Sequence, residues 1–212
     1  MLYQETVEAG TLDLIKRLMA DEELKNFRLV GGTALSLCIG HRISIDIDLF
    51  CNQDFNASGL KEHILRTYRA DKIRAVTNGV FGLVENIKLD LIAHQYEWLR
   101  PVREVEGIRM ASLEDIGAMK VHAIVQNGSR LKDFVDFHYF LAQFSTNQLV
   151  SGYEKKYPEA SHLLAEKALV YFDDIDFDIP VKLVKGNLDW KKIAARLVEA
   201  GQEKEKIFNK AD

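Results

Sequence analysis

The chain has 212 residues, of which 47% are hydrophobic, and its formal net charge is -4. This composition is typical of one folded domain or two small ones, and it excludes a surface that coats polyanions broadly, although a local basic groove is compatible with it. No apolar run is long enough to span a membrane, and the first ten residues lack the order of a signal peptide, so we expect a cytoplasmic location.

The first half of the chain alternates predicted helices and strands. Hydrophobic periodicity predicts helices over TVEAGTLDLIKRLMADEEL, GGTALSLCIG and NASGLKEHILRTY. Short apolar runs predict strands over FRLV, IDIDLF, DKIRAV, GVFGLVE, IKLDLIAH and VREVEGIRMA, with a hairpin signal at Asn78-Gly79. These elements predict a sheet with helices packed on it.

From about Ser112 the apolar residues recur with a period of 3.6. Helices are predicted over SLEDIGAMKVHAIVQ, SRLKDFVDFHYFLAQF, residues 160–171 and NLDWKKIAARLVEAG. We therefore expect an α+β fold, with a small mixed β-sheet core flanked by helices over residues 1–110 and a helical domain over residues 111–212. The two cysteines, Cys38 and Cys51, lack a zinc-binding spacing, and we expect buried free thiols.

Two aspartates, Asp46 and Asp48, alternate within a strand-like apolar run. Alternate residues of a strand project on the same face, so the two carboxylates converge. Like charges that close raise one pKa or need a cation between them, and a divalent metal is the simplest resolution. In IKLDLIAH the same alternation places Lys88 and a third acid, Asp90, on one face.

A glycine pair, Gly31-Gly32, separates a predicted strand from a predicted helix. Without Cβ atoms, backbone N–H groups at a helix start can approach a phosphate, and Thr33 adds a hydroxyl donor. A glycine pair alone is usually a turn, and an Asp-x-Asp motif alone is more often a solvent-facing pair. Their occurrence in this order between apolar strands favours a functional site.

This combination of residues fits phosphoryl transfer. Two metal ions about 3.5 to 4 Å apart can bind both the attacking and the leaving oxygen of an in-line displacement. Mg²⁺ prefers carboxylate and phosphate oxygens as ligands. We expect Asp46 and Asp48 to hold the metal bound to a triphosphate, and Asp90 to bind a second metal and to help deprotonate an acceptor hydroxyl.

The motifs continue beyond the third acid. The full pattern consists of Gly31, Gly32, Thr33, Arg42, Ser44, Asp46, Asp48, Leu49, Phe50, Lys88, Asp90, Lys120, Arg130, Lys132, Asp133 and Asp136. It resembles the pattern of nucleotidyltransferases with a DNA polymerase beta-like fold, and among them the AbiEii/AbiGii toxin group of abortive-infection and toxin-antitoxin systems. The resemblance extends over roughly residues 27 to 140.

The resemblance implies a nucleotidyltransferase core followed by a helical domain that closes the nucleotide cleft, with Mg²⁺ or Mn²⁺ as cofactor. It implies catalytic roles for Asp46, Asp48, Asp90 and Lys120, with the three aspartates as metal ligands. The implied nucleotide-binding residues are Gly31, Gly32, Thr33, Arg42, Ser44, Lys88, Lys132, Asp133 and Asp136. Lys120 and Lys132 would meet the triphosphate. The alternative for Asp133 and Asp136 is an ordinary surface salt-bridge cluster.

The predicted reaction is transfer of NMP from an NTP to a hydroxyl, either at the 3′ end of an RNA such as a tRNA or on a protein side chain. One alternative is transfer of the γ-phosphoryl group, as in a kinase, and another is a non-catalytic module that binds a nucleotide. A toxic activity and an antitoxin partner are implied by the resemblance alone.

Overall fold

The computed structural model describes residues 1–209 and divides the chain into two compact units, one of residues 1–112 and a second that begins at Leu113. None of the helices among the described residues is long and apolar enough to cross a membrane. The boundary lies close to the predicted one at residue 110. The expected closure of a nucleotide cleft by the second domain stays a prediction.

The first unit contains a seven-stranded mixed sheet and three α-helices. Its strands are β1 (Arg28–Leu29), β2 (Ile47–Cys51), β3 (Ala70–Val76), β4 (Gly79–Val84), β5 (Ile87–Ala93), β6 (Arg103–Val105) and β7 (Ile108–Met110), and its helices are α1 (Ala9–Ala20), α2 (Gly31–Ile39) and α3 (Ala57–Thr67). The strand order is β3-β4-β5-β2-β1-β7-β6. Strand β2 runs antiparallel to β1 and parallel to β5. This confirms the predicted α+β class with a mixed sheet.

Along β2 and β5, buried apolar residues alternate with acids, so the core and the acids lie on opposite faces of the sheet. Ile47 and Leu49 of β2, and Leu89 and Leu91 of β5, are almost fully buried. Successive side chains of a strand point to opposite faces, so the intervening acids must lie on the other face of the sheet. Burial of the apolar side chains sets the register of the strands, because a slip of one residue would expose all of them.

The second unit consists of five helices within the described residues: α4 (Leu113–Gln126), α5 (Leu131–Phe140), α6 (Thr146–Lys156), α7 (His162–Ala168) and α8 (Trp190–Gln202). Its core includes the fully buried rings of Phe134, Phe137 and Phe140. On α4, a Cβ built on Gly117 would lie 2.6 Å from Leu149 of α6, so this glycine permits the close approach of the two helices.

Outside the acidic strand, three details of the secondary structure differ from the sequence predictions. Helix α6 was not predicted, although Ser145 and Gln148 form a capping box at its start, a signal that the sequence carries. The run predicted as one strand, VREVEGIRMA, is the hairpin β6–β7, which turns at Glu106 and Gly107 with positive φ. Both cysteines are free, but Cys38 is only half-buried.

Candidate active site

The start of helix α2 follows directly from strand β1 and is built around two glycines. The N-cap residue, Val30, has an extended backbone and offers no side-chain cap, and Gly31 has a φ of +68°. A Cβ on Gly31 would collide with the carboxylate of Asp48, and one on Gly32 would collide with the guanidinium of Arg42. Glycine is therefore favoured at both positions, because Gly31 has a positive φ and because an acidic and a basic side chain approach the backbone at the helix start.

The segment before β2 is fixed to helix α2 by hydroxyl groups. Thr33 is buried, its Oγ1 lies 2.9 Å from Ser44 Oγ, and it donates a hydrogen bond to the carbonyl oxygen of Asp46. The buried Arg42 donates to the carbonyl oxygen of Ile43 at 3.1 Å. The contacts that the structure shows for Thr33 therefore position the acidic segment, and its contact with phosphate stays a prediction.

Asp48 and Asp90 occupy directly opposed positions on the parallel strands β2 and β5. Both project from the face of the sheet opposite to the leucine core. Asp46 lies one residue before β2 begins, in irregular backbone that Thr33 holds. The strand predicted over IDIDLF therefore starts later than expected, and the argument from strand alternation does not apply to Asp46. The sheet thus makes two of the three predicted acids neighbours, although they are more than forty positions apart in sequence.

The ammonium group of Lys88 interacts with all three predicted acids. Its ammonium lies 2.7 Å from Asp90 Oδ2. Desolvation lowers the pKa of Lys88, but the hydrogen bond to Asp90 and the charge of Asp90 raise it, and the net shift is upward. Asp48 and Asp46 add to the rise through their charges. A cation in this region is therefore stabilised by all three predicted carboxylates.

One carboxylate oxygen of the predicted metal ligands has no hydrogen-bond partner. Asp90 Oδ1 is buried and has no hydrogen-bond partner. A buried carboxylate oxygen without a partner is costly unless another group binds it. However, no group of three or more His, Cys, Asp or Glu side chains within residues 1–209 is arranged to hold a metal ion. The predicted three-carboxylate metal site therefore stays a prediction, supported here by the opposed pair Asp48 and Asp90 and by this unpartnered oxygen.

The predicted residues of the second unit form a buried ionic cluster. Lys120 of α4 lies 2.7 Å from Asp133 Oδ1 and 2.6 Å from Asp136 Oδ2, both on α5. Arg130 Nη2 lies 2.6 Å from Asp133 Oδ2. The side chains of Lys120, Asp133 and Asp136 are 8%, 1% and 0% exposed, so the alternative of a surface cluster is wrong. Lys132 is half-buried on α5, and binding of the triphosphate by Lys120 and Lys132 stays a prediction.

Sequence reasoning missed two further groups of residues. Lys156 of α6 and Asp115 of α4 form a fully buried ion pair at 2.9 Å, which no local motif predicts. On the first unit, Lys72, Arg74 and Phe81 line a cavity that also contains Lys88 and Asp90. The alternating cations of DKIRAV were the only sequence signal for the second group.

Two solved structures from Helicobacter pylori are similar to this chain over nearly its whole length. One, a candidate nucleotidyltransferase, shares 21% identity with a TM-score of 0.56 and covers 93% of this chain and 96% of its own. The other, JHP933, shares 20% identity with a TM-score of 0.56 and covers 94% and 93%. At these identities the likeness shows the fold. A curated relative, the uncharacterized protein aq_aa25 of Aquifex aeolicus, is 32% identical over 155 residues, which cover 70% of this chain and 75% of the relative.

The match to a family model identifies the chain as a nucleotidyltransferase. The family model "Nucleotidyl transferase AbiEii toxin, Type IV TA system" matches residues 13–210. The chain therefore belongs to the AbiEii nucleotidyltransferase toxin family, and the resemblance inferred from its motifs is confirmed.

Proposed function

We propose that this enzyme transfers NMP from an NTP to an acceptor hydroxyl and depends on Mg²⁺ or Mn²⁺. The observation that carries the proposal is the opposition of Asp48 and Asp90 beside the glycine-built start of α2. The helix start offers backbone N–H groups and a positive dipole end to a triphosphate. The adjacent acids offer oxygens to the cations that accompany it.

Asp46, Asp48 and Asp90 are the residues that would hold the metal. The unpartnered Oδ1 of Asp90 and the attraction of all three acids for the Lys88 ammonium support this choice. When bound, a divalent ion supplies Lewis-acid stabilisation of the charge that develops on the transferred phosphoryl group. The chain's own residues orient the triphosphate at Gly31 and Gly32 and keep the carboxylates within reach of it.

In the proposed reaction the acceptor hydroxyl oxygen attacks the α-phosphorus of the NTP. The new bond joins that oxygen to the α-phosphorus, the bond from the α-phosphorus to the bridging oxygen breaks, and pyrophosphate leaves. Asp90 accepts the hydroxyl proton, since its side chain lies on the face where the attacking group must enter. Lys88 stays paired with Asp90 and limits the accumulation of negative charge between the acids.

Labelled nucleotides test this proposal. Purified protein is incubated with Mg²⁺, total RNA or protein, and each NTP labelled at the α or the γ position. We expect the wild type to incorporate only the α-label. Asp48→Asn should abolish this incorporation, and the exposed surface variant Asp13→Asn should retain it. Transfer of γ-label would establish the kinase-like alternative. Tight NTP binding by an undamaged protein with no transfer to any acceptor would establish the binding module.

The family description names a type IV toxin-antitoxin system. We infer that an antitoxin is a partner of this enzyme and that its activity inhibits growth. Expression of the wild-type chain should slow growth and Asp48→Asn should not, while co-expression of the neighbouring gene should restore growth. The cytoplasmic location expected from the sequence stays a prediction, which fractionation of cells would check.

A further inference from the structure

A row of four side chains crosses the sheet from the acids to its edge. Asp48 of β2 opposes Asp90 of β5, Asp90 opposes Phe81 of β4, and Phe81 opposes Arg74 of β3. Directly opposed residues of adjacent strands project on the same face and contact one another. The row therefore runs on the solvent-facing side of the sheet from Asp48 to an arginine three strands away.

The outer part of this row borders a cavity of about 380 Å³. Its lining consists of Lys72, Arg74, Phe81, Gly82, Leu83, Lys88 and Asp90. Three cations and one aromatic ring therefore face the cavity, and its single acid is Asp90. The chain as a whole is acidic, so this concentration of positive charge beside a catalytic acid is local.

Arg74 and Phe81 form a defined pair within this cavity. The Arg74 guanidinium carbon lies 5.2 Å from the centroid of the half-buried Phe81 ring. The register of β3 shifts between Asp71 and Arg74, and Lys72 has a φ of 52°. Such a bulge changes the direction of a side chain at a sheet edge. The edge strand is thus shaped to present Lys72 and Arg74 beside the ring.

The position of the cavity relative to the helix start indicates which substrate it binds. Gly31 contacts Asp48 from the β1 side of the row, and that is where the proposed function places the triphosphate. The cavity lies on the β4 side of Asp90. In an in-line displacement the acceptor hydroxyl reaches the α-phosphorus from the side opposite to the leaving group. With the triphosphate at the start of α2, as the proposed function has it, an acceptor on the β4 side of Asp90 would occupy this cavity.

We propose that Lys72, Arg74 and Phe81 bind the 3′ end of a single-stranded polynucleotide, which is the acceptor. Lysine and arginine neutralise backbone phosphates, and an aromatic ring or a guanidinium plane stacks on an unpaired base. A hydroxyl on a protein side chain brings neither backbone phosphates to pair with three cations nor a base to stack on the ring. This inference rests on the proposed function and identifies the class of its acceptor.

Direct binding tests the inference without any transfer. The affinity of a fluorescent single-stranded RNA 12-mer, and of its DNA counterpart, is measured for the full chain over a range of salt concentrations without NTP. Lys72→Ala and Arg74→Ala should each weaken binding and reduce the salt slope by about one charge, and Arg74→Lys should keep the slope. Phe81→Leu should weaken binding about tenfold and leave the slope unchanged. The surface variant Lys16→Ala is the matched charge control.

The outcomes separate this inference from the proposed function. If the wild type transfers NMP to the oligonucleotide and the three variants bind and react normally, the inference fails and the proposed function stands. If the wild type transfers nothing but the variants lose binding selectively, the proposed function fails. If Phe81→Leu raises the KM for the NTP and not the KM for the acceptor, Phe81 is a platform for the NTP base and the inference is overturned. Labelling of protein alone would assign the acceptor to proteins and would also overturn the inference. Stronger binding of RNA than DNA would identify the natural polymer.

Discussion

Gly31 and Asp48 are so close that the carboxylate of the acid occupies the space of a side chain on the glycine. The positive φ of Gly31 turns the chain from β1 into α2 at this contact. The conformation at the start of α2 and the position of the Asp48 carboxylate therefore depend on each other. This contact explains in physical terms why glycine stands at this position of the motif.

Substitution Gly31→Ala should abolish transfer and lower the free energy of unfolding by about 1–3 kcal/mol, since it adds a collision with Asp48 to a strained backbone. The control is Gly107→Ala, where φ is also positive, +76°, but nothing lies within 4 Å of the added Cβ. Urea unfolding and the transfer assay measure both effects. If Gly107→Ala is equally damaging to activity, the collision with Asp48 is not the cause.

Divalent metal should stabilise the fold through the acids of the sheet. A ligand that binds only the folded state at a hundredfold excess over its Kd stabilises by about 2.7 kcal/mol. We expect Mg²⁺ or Mn²⁺ to raise the Tm of the wild type and of Asp13→Asn, and to leave the Tm of Asp48→Asn and Asp90→Asn unchanged. Thermal melts with EDTA and with metal measure this without any activity. An equal rise in all four proteins would place the metal elsewhere.

Lys120→Met should strongly destabilise the second unit. The substitution leaves Asp133 and Asp136 buried without their shared cation, and removal of one partner from a buried ion pair typically costs about 3–5 kcal/mol. The exposed Lys25, paired with Glu22, is the control, and Lys25→Met should cost less than about 1 kcal/mol.

The same cluster offers a rescue experiment. Adding Asp133→Asn and Asp136→Asn to Lys120→Met removes the charges that Lys120 no longer neutralises and should recover much of the lost stability in urea unfolding. Recovery of stability without recovery of transfer would also show that the cluster contributes to the reaction. No recovery would mean that the loss comes from packing of the lysine stem and not from charge.

A hydrogen-bonded network in the first unit should make stability depend on acidic pH. Burial raises the pKa of Asp21, but hydrogen bonds from His63, Tyr68 and the backbone N–H of Glu23 lower it, and the net shift is below the ordinary carboxyl value of 3.8. The distances from Asp21 Oδ2 to His63 Nε2 and to Tyr68 Oη are both 2.7 Å. A carboxyl with a lowered folded-state pKa stabilises the protein above its unfolded pKa.

This stability should be lost as the pH falls through the folded-state pKa of Asp21. Asp21→Asn keeps a side-chain oxygen for the backbone N–H of Glu23 but removes the charge. The difference in unfolding free energy between wild type and Asp21→Asn should be present at about pH 5 and should shrink as the pH falls toward about 2.5. Urea unfolding at several pH values measures it, and a difference that does not change over this range would refute the assignment to Asp21.

Local patterns predicted much of the secondary structure. The alternation of Ile47, Asp48 and Leu49 and of Leu89 and Asp90 predicted which side of each strand is buried, because strand periodicity is a property of the backbone itself. The hairpin signal at Asn78-Gly79 predicted the turn between β3 and β4, but the turn residues are Thr77 and Asn78, and Gly79 is the first residue of β4. Asn tolerates the positive φ of 59° found at Asn78.

The same patterns did not predict which strands are neighbours or which ions are buried together. Asp48 and Asp90 meet only because β2 pairs with β5. Lys120 is buried only because α4 and α5 pack so that Asp133 and Asp136 face it. These contacts join residues distant in sequence, and a short window carries no information on them.

The sequence by itself determined the family and the class of fold, and it predicted the acids and glycines of the proposed site, because the spacing of residues along a strand or at a helix start is a local property. Only the tertiary structure decided that the carboxylate of Asp48 rests against Gly31, and that the row from Asp48 through Asp90 and Phe81 ends at Arg74. The physical reason is that strand order and register follow from burial of the leucine face over the whole sheet, which no single segment can specify.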